Sequence, residues 1–113
     1  MKKIEIFDPA LCCPTGLCGP DINPDLIRIA AAVEVLRREG VDIERHNLRD
    51  VPQLYVDNAV VNSFLNENGA EALPVTLVDG KLEMAGNYPT NQQLTEWTGV
   101  NLDIIAQLLE DKQ

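Results

Sequence analysis

A strand pattern, a helix pattern and a second strand pattern follow one another in the first 48 residues. Residues 2–8 alternate in polarity, which predicts a strand with one apolar face. Pro24 suits the first turn of a helix, and Gly40 is placed to end it. Residues 41–48 alternate again and predict a second strand. This order is a βαβ unit, in which the two strands lie parallel.

The rest of the chain predicts a helix beginning near Pro52 and ending at Gly69, then a hairpin and two short helices. The expected apolar face of the first of these helices comprises Leu54, Val60, Val61, Phe64 and Leu65. Asp79 and Gly80 separate two β-rich runs and form a turn pair that accepts positive φ. Thr90 begins a capping box, which predicts the start of the next helix.

The element order β-α-β-α-β-β-α, with one extra helix, predicts an α/β protein with a thioredoxin-like fold. That fold has a four-stranded mixed sheet flanked by helices on both faces. Leu73-Pro74 stands where the fold carries a cis-proline, which faces the loop after the first strand. We expect residues 1–113 to form a single domain of this type, since 113 residues with 45% hydrophobic content suit one packed core.

All three cysteines of the chain, Cys12, Cys13 and Cys18, lie in one segment rich in proline and glycine. Such punctuation predicts a loop. Consecutive Cα atoms are about 3.8 Å apart, below the usual disulfide range of about 4.4–6.8 Å, so a bond within the adjacent pair is strained. Four residues separate Cys13 from Cys18, unlike the Cys-x-x-Cys spacing of thioredoxin-type enzymes. A functional thiol cluster is therefore favoured over buried structural cysteines or a redox pair.

The number of thiols indicates which ion they suit. Soft cations prefer thiolate ligands, but a closed zinc site takes four protein ligands. His46 is the only histidine, and we do not expect it to supply the fourth. As(III) and Sb(III) carry a lone pair and take three soft ligands. Cys12, Cys13 and Cys18 are therefore predicted to bind As(III) or Sb(III) as cargo, with no organic cofactor.

The charge balance and hydropathy exclude several classes of function. The formal net charge is −9, which opposes unaided binding to nucleic acid phosphates. No apolar run approaches the roughly 20 residues that cross a bilayer, and no signal peptide is apparent. We expect a cytoplasmic protein without membrane insertion, in a compartment where thiols stay reduced.

Residues 7–19, with the sequence Phe-Asp-Pro-Ala-Leu-Cys-Cys-Pro-Thr-Gly-Leu-Cys-Gly, resemble the ArsD family of arsenical-resistance proteins. Residues 72–74 and 84–89 resemble it too, and the resemblance covers almost the whole chain. It implies a cytosolic chaperone that takes As(III) from cellular thiols such as glutathione. The metalloid then passes to the catalytic ATPase subunit of an arsenite pump. Cys12, Cys13 and Cys18 match the three metalloid ligands of the family.

The resemblance also implies a homodimer that represses its own operon weakly and is released by the inducer. Because the chain is acidic and shows no helix-turn-helix signature, binding to operator DNA is expected to be weak and sensitive to salt. We predict that the protein is not an enzyme. The alternative is a thioredoxin-like or glutaredoxin-like thiol oxidoreductase. Tyr88 and Trp97 are interpreted as packing residues.

Overall fold

The computed structural model of the protein describes residues 3–10 and 24–102. Its four strands are β1 (Ile4–Asp8), β2 (Ile43–Asn47), β3 (Val75–Val78) and β4 (Lys81–Ala85). Its α-helices are α1 (Pro24–Arg38), α2 (Pro52–Asp57), α3 (Ala59–Asn68) and α4 (Asn91–Thr98). A 3-10 turn at Ala70–Ala72 links α3 to β3. The strands form one mixed sheet in the order β2-β1-β3-β4, as the thioredoxin-like fold requires.

The βαβ unit predicted for the first 48 residues is confirmed. β1 and β2 are parallel, with Glu5 opposite Glu44 and Phe7 opposite His46, and α1 connects them. β2 is shorter than predicted and begins at Ile43, the partner of the first residue of β1, Ile4. The carbonyl oxygen of Asp42 still accepts a hydrogen bond from the amide of Ile4. The parallel pair brings the carboxyl ends of both strands to one edge of the sheet.

The predicted hairpin is also confirmed. β3 runs antiparallel to both β1 and β4. Between β3 and β4, Asp79 has a φ of 53° and Gly80 a φ of 81°, so both central turn residues are left-handed. Glycine and aspartate tolerate this region, which explains why this pair turns the chain. The hairpin places β3 beside β1 in the middle of the sheet.

Two apolar clusters cover the two faces of the sheet, as the predicted fold requires. The cluster under α1 and α4 comprises Ile4, Ile6, Leu26, Ile29, Ala32, Val33, Leu36, Val41, Ile43, Val78, Tyr88, Leu94 and Leu102. The cluster under α2 and α3 comprises Phe7, Tyr55, Val61, Leu73, Val75 and Leu77. Alternation along β1 and β3 sends successive side chains to opposite clusters. Trp97 packs against the first cluster, so its interpretation as a packing residue is confirmed.

The prediction of one helix from Pro52 to Gly69 was wrong. The helix is interrupted at Asn58, which has extended backbone angles and separates α2 from α3. The Asn58 side chain accepts hydrogen bonds from the amides of Val60 and Val61, so it caps α3. The break changes the direction of the apolar face, and Leu54 and Val60 are exposed rather than buried.

Other local signals are confirmed. Thr90 accepts a hydrogen bond from the amide of Gln93, while the Gln93 side chain accepts one from the amide of Thr90, so the predicted capping box starts α4. Gly99 ends that helix in the left-handed conformation. The buried face of α1 comprises Leu26, Ile29, Ala32, Val33 and Leu36. The last helix expected from the sequence, after Asn101, falls on residues 103–113, which lie outside the described residues.

Candidate functional site

The predicted metalloid ligands follow the carboxyl end of β1. β1 ends at Asp8, and the described chain continues to Ala10 and resumes at Pro24, the first residue of α1. Cys12, Cys13 and Cys18 lie outside the described residues. The structure therefore defines the surroundings of the two residues where the cysteine segment departs and returns.

A cis-proline lies next to the point of departure. The peptide bond between Leu73 and Pro74 is cis, as predicted. Phe7 pairs with Val75 in the antiparallel ladder, so the next step along both strands brings Pro74 across from Asp8. The carboxyl end of β1 and the start of β3 therefore lie side by side, at the end of the sheet where the cysteine segment follows β1.

Asp8 is a buried carboxylate at this edge. The residue is only 1% exposed, and its Oδ2 lies 2.7 Å from Nε of Arg45, whose side chain is 11% exposed. Within residues 3–10 and 24–102, Nε of Arg45 makes no aligned hydrogen bond, so this contact is a close ion pair. Burial raises the pKa of Asp8, and the neighbouring Tyr88 and Arg45 offset this only in part.

Arg45 also contacts an aromatic ring. Its guanidinium carbon lies 5.5 Å from the ring centroid of Tyr88, within the range of a cation–π contact. Tyr88 is buried, as its interpretation as a packing residue predicted. Burial raises the pKa of its hydroxyl, so the group stays protonated at neutral pH. Asp8, Arg45 and Tyr88 form a polar cluster on the α1 side of the sheet edge.

Tyr55 of α2 contacts the same strand ends from the opposite face of the sheet. Its hydroxyl lies 2.6 Å from the carbonyl oxygen of Asp8 and 2.9 Å from that of His46. One hydroxyl proton is therefore shared between two carbonyl oxygens, one near the carboxyl end of each parallel strand. The Tyr55 ring meets Phe7 edge to face, with 5.0 Å between centroids. These contacts hold the carboxyl ends of β1 and β2 together.

Sequence reasoning missed both Arg45 and Tyr55 as parts of this edge. A signal for Arg45 was present, since it shares a face of β2 with the buried Ile43. A charged side chain on a core-facing position must find a partner, because burying it alone costs several kcal/mol. Tyr55 offered no comparable signal, since its role depends on the break at Asn58 that the sequence did not predict.

Within residues 3–10 and 24–102, no helix has both the length and the apolar character needed to cross a bilayer.

Comparison with known proteins agrees with this architecture. The family model for the arsenical resistance operon protein ArsD matches residues 1–113. Two Escherichia coli proteins named arsenical resistance operon trans-acting repressor ArsD are each 45% identical over 106 residues, covering 94% of this chain and 88% of the relative. Their name describes a regulatory rather than a catalytic role.

A solved structure shares both the fold and much of the sequence. The crystal structure of the arsenical resistance operon trans-acting repressor from Bacteroides vulgatus ATCC 8482 superimposes with a TM-score of 0.86. It is 63% identical and covers 91% of this chain and 97% of its own. The family model spans every residue, and the sequence and structural relatives carry the same description; the chain therefore belongs to the ArsD family of arsenical resistance operon proteins.

Proposed function

We propose that this chain is a cytosolic metallochaperone that carries As(III) or Sb(III) and passes it to the ATPase subunit of an arsenite efflux pump. Cys12, Cys13 and Cys18 are the proposed ligands, supplied as three thiolates. The observation that carries the proposal is that all three cysteines of the chain fall within seven residues, immediately after β1. Membership of an arsenical resistance family supports the choice of cargo.

Coordination chemistry supports the match between ligands and cargo. A trivalent pnictogen with a lone pair takes three soft ligands in a pyramid, and thiolates are the soft ligands that proteins offer. Each thiol loses its proton when it binds. That proton leaves on the displaced group, as water from arsenite or as a thiol from a thiolate complex, so the exchange releases no net proton. Glutathione-bound arsenite is the proposed donor, because each protein thiol can replace one glutathione and release it with the proton.

Transfer to the pump follows the same exchange in the other direction. Each incoming cysteine of the ATPase subunit replaces one outgoing cysteine of this chain, and the proton moves to the thiol that leaves. At no stage is the metalloid free in solution. Asp8, Arg45 and Tyr55 support this role by fixing the strand end from which the ligand segment departs.

The proposal is tested by titrating As(III) into the protein and into Cys12→Ala, Cys13→Ala and Cys18→Ala, with circular dichroism as the check on folding. Each variant should lose affinity sharply while its spectrum stays that of the parent. Ser63→Ala, an exchange of similar size on α3, should bind as the parent does. Full affinity in all three cysteine variants would contradict the proposal.

A second function, weak repression of the arsenical resistance operon by a homodimer, is favoured by the names of the relatives. The net charge of −9 opposes phosphate contacts, so operator binding should be weak and should fall steeply with salt. Footprinting on the operon promoter, with and without arsenite, tests this. Protection of the promoter that arsenite removes supports repression. If the promoter is not protected at any protein concentration, the repressor function is contradicted.

The thiol oxidoreductase alternative makes a different prediction. It requires turnover, so the protein should reduce disulfides or arsenate with glutathione at a rate that depends on its cysteines. Under the chaperone proposal, the protein binds about one metalloid and shows no such turnover. Measuring both quantities on one preparation separates the two functions.

A further inference from the structure

A second group of metal-ligating side chains lies on the α2 side of the sheet. Glu5 of β1 pairs in register with Glu44 of β2, and His46 follows two residues later on the same face. One ligand atom from each of these three residues lies within 4.8 Å of the others. The parallel register creates the cluster, because Glu44 and His46 belong to one strand and Glu5 to its neighbour.

The distances within the cluster suit a bound cation. Nε2 of His46 lies 3.5 Å from Oε2 of Glu5 and 3.7 Å from Oε2 of Glu44. Ligand atoms about 2.0–2.1 Å from a tetrahedral zinc ion are separated by about 3.3–3.4 Å. The two separations from His46 need movements of a few tenths of an ångström. The carboxylate oxygens of Glu5 and Glu44 lie within 4.8 Å of each other and can approach further by rotation of the exposed Glu44 side chain.

The histidine nitrogen at the centre of this cluster is buried and makes no hydrogen bond with any of residues 3–10 or 24–102. The His46 side chain is 12% exposed, and its ring packs 4.9 Å from the ring of Phe7, which fixes its orientation. A buried ring nitrogen without a hydrogen bond is costly unless an occupant satisfies it. Two carboxylates face it, so a cation in the adjoining cavity would satisfy the nitrogen and both carboxylates together.

There is room for such an occupant. An open cavity of about 370 Å³ is lined by Lys3, Glu5, Phe7, Glu44, His46, Leu54, Asp57 and Asn58. Three carboxylates and one ammonium group line it, so its charge favours a cation. The opening allows water molecules to complete the coordination, as in a site with protein ligands and an open position.

We propose that Glu5, Glu44 and His46 bind a borderline divalent cation of the Zn²⁺ and Co²⁺ class, at a site separate from the three cysteines. One imidazole and two carboxylates form a mixed nitrogen and oxygen set, which suits such ions better than the soft metalloid. The site does not depend on the proposed metalloid function. The competing occupant is a water molecule hydrogen-bonded to the same three side chains.

The test uses the full chain with Cys12→Ser, Cys13→Ser and Cys18→Ser, which removes the thiolates that would otherwise bind the probe. Titration with Co²⁺, followed by visible absorption, should show about one equivalent bound without a thiolate charge-transfer band. Zn²⁺ should displace it. In the same background, His46→Gln and Glu44→Gln should each weaken Co²⁺ binding by about tenfold or more.

The matched control is Glu83→Gln, which removes an exposed carboxylate from β4 at the other edge of the sheet and should leave Co²⁺ binding unchanged. Glu44 is 52% exposed, so its variant keeps the fold even if His46→Gln does not. No saturable binding of Co²⁺, or equal binding by Glu44→Gln and Glu83→Gln, would overturn the proposal. Because the test protein lacks all three cysteines, neither result bears on As(III) binding by them, so the two proposals fail separately.

Discussion

Nε of Arg45 lies 2.7 Å from Oδ2 of Asp8, and this ion pair is buried at the strand end from which the cysteine segment departs. The two residues lie on neighbouring parallel strands, β1 and β2, and are brought together by their register. Desolvation of both charges opposes the pair, and their mutual attraction offsets that cost only while both partners are present. The pair is therefore more important for the local geometry than for net stability.

Removing one partner should be strongly destabilising. Arg45→Met keeps much of the side-chain volume but leaves the buried Asp8 carboxylate without its cation. We expect the free energy of unfolding at neutral pH to fall by about 3–5 kcal/mol, measured by urea denaturation. The matched control is Arg38→Met, which removes an exposed pair with Glu34 worth about 0.3–0.5 kcal/mol. Similar losses in the two variants would contradict the role of the buried pair.

Asp8 should give stability a distinct dependence on pH. Because its pKa is raised in the folded protein, the folded state holds the proton more tightly than the unfolded state, in which the pKa is near 3.8. Its contribution to the free energy of unfolding is therefore fully present below pH 3.8 and is lost as pH rises through the folded pKa.

The comparison that isolates this effect is the parent protein against Asp8→Asn, with urea unfolding measured from pH 4 to 8. The free energy of unfolding of the parent minus that of the variant should decrease as pH rises and then level off. A difference in packing between the carboxyl and amide groups shifts this difference equally at every pH and does not change the sign of the slope. A difference that increases with pH would contradict the raised pKa.

The Tyr55 hydroxyl should contribute to stability independently of its ring. Tyr55→Phe keeps the edge-to-face contact with Phe7 but removes the donor shared by the carbonyls of Asp8 and His46. We expect a loss of about 1–3 kcal/mol in the free energy of unfolding, because buried acceptors then lack a partner. Amide hydrogen exchange should also become faster at the carboxyl ends of β1 and β2. A variant as stable as the parent would show that these carbonyls do not need the hydroxyl.

The break between α2 and α3 should depend on the side chain of Asn58. Asn58→Ala removes the acceptor for the amides of Val60 and Val61 and should cost about 0.5–2 kcal/mol in urea unfolding. Asn58→Asp keeps an acceptor oxygen at the same position and should stay close to the parent. Equal losses in the two variants would show that the cap is not what stabilises the start of α3.

Local signals in the sequence predicted most of the fold. Asp79-Gly80, the Thr90 capping box and the alternation along β1 each act over a few residues, so their effects can be read from neighbours in the chain. The break at Asn58 was missed because the apolar pattern on both sides fits one helix, while the capping hydrogen bonds that divide it depend on a single side chain.

The surroundings of the candidate site were harder to predict because they depend on contacts between distant residues. Asp8 meets Arg45, and Glu5 meets His46, only after β1 and β2 pair in a particular register. A shift of one residue would send each side chain to the other face of the sheet. The cysteine ligand set remains a prediction from the sequence, since all three cysteines lie outside the described residues.

The most direct test of the central claim is X-ray absorption at the arsenic edge on the full chain loaded with one equivalent of As(III) and freed of small thiols. The account predicts three sulfur neighbours at a single As–S distance, and two sulfur neighbours with one oxygen in each of Cys12→Ala, Cys13→Ala and Cys18→Ala. Fewer than three sulfur neighbours in the parent protein would contradict the claim that Cys12, Cys13 and Cys18 together bind the metalloid.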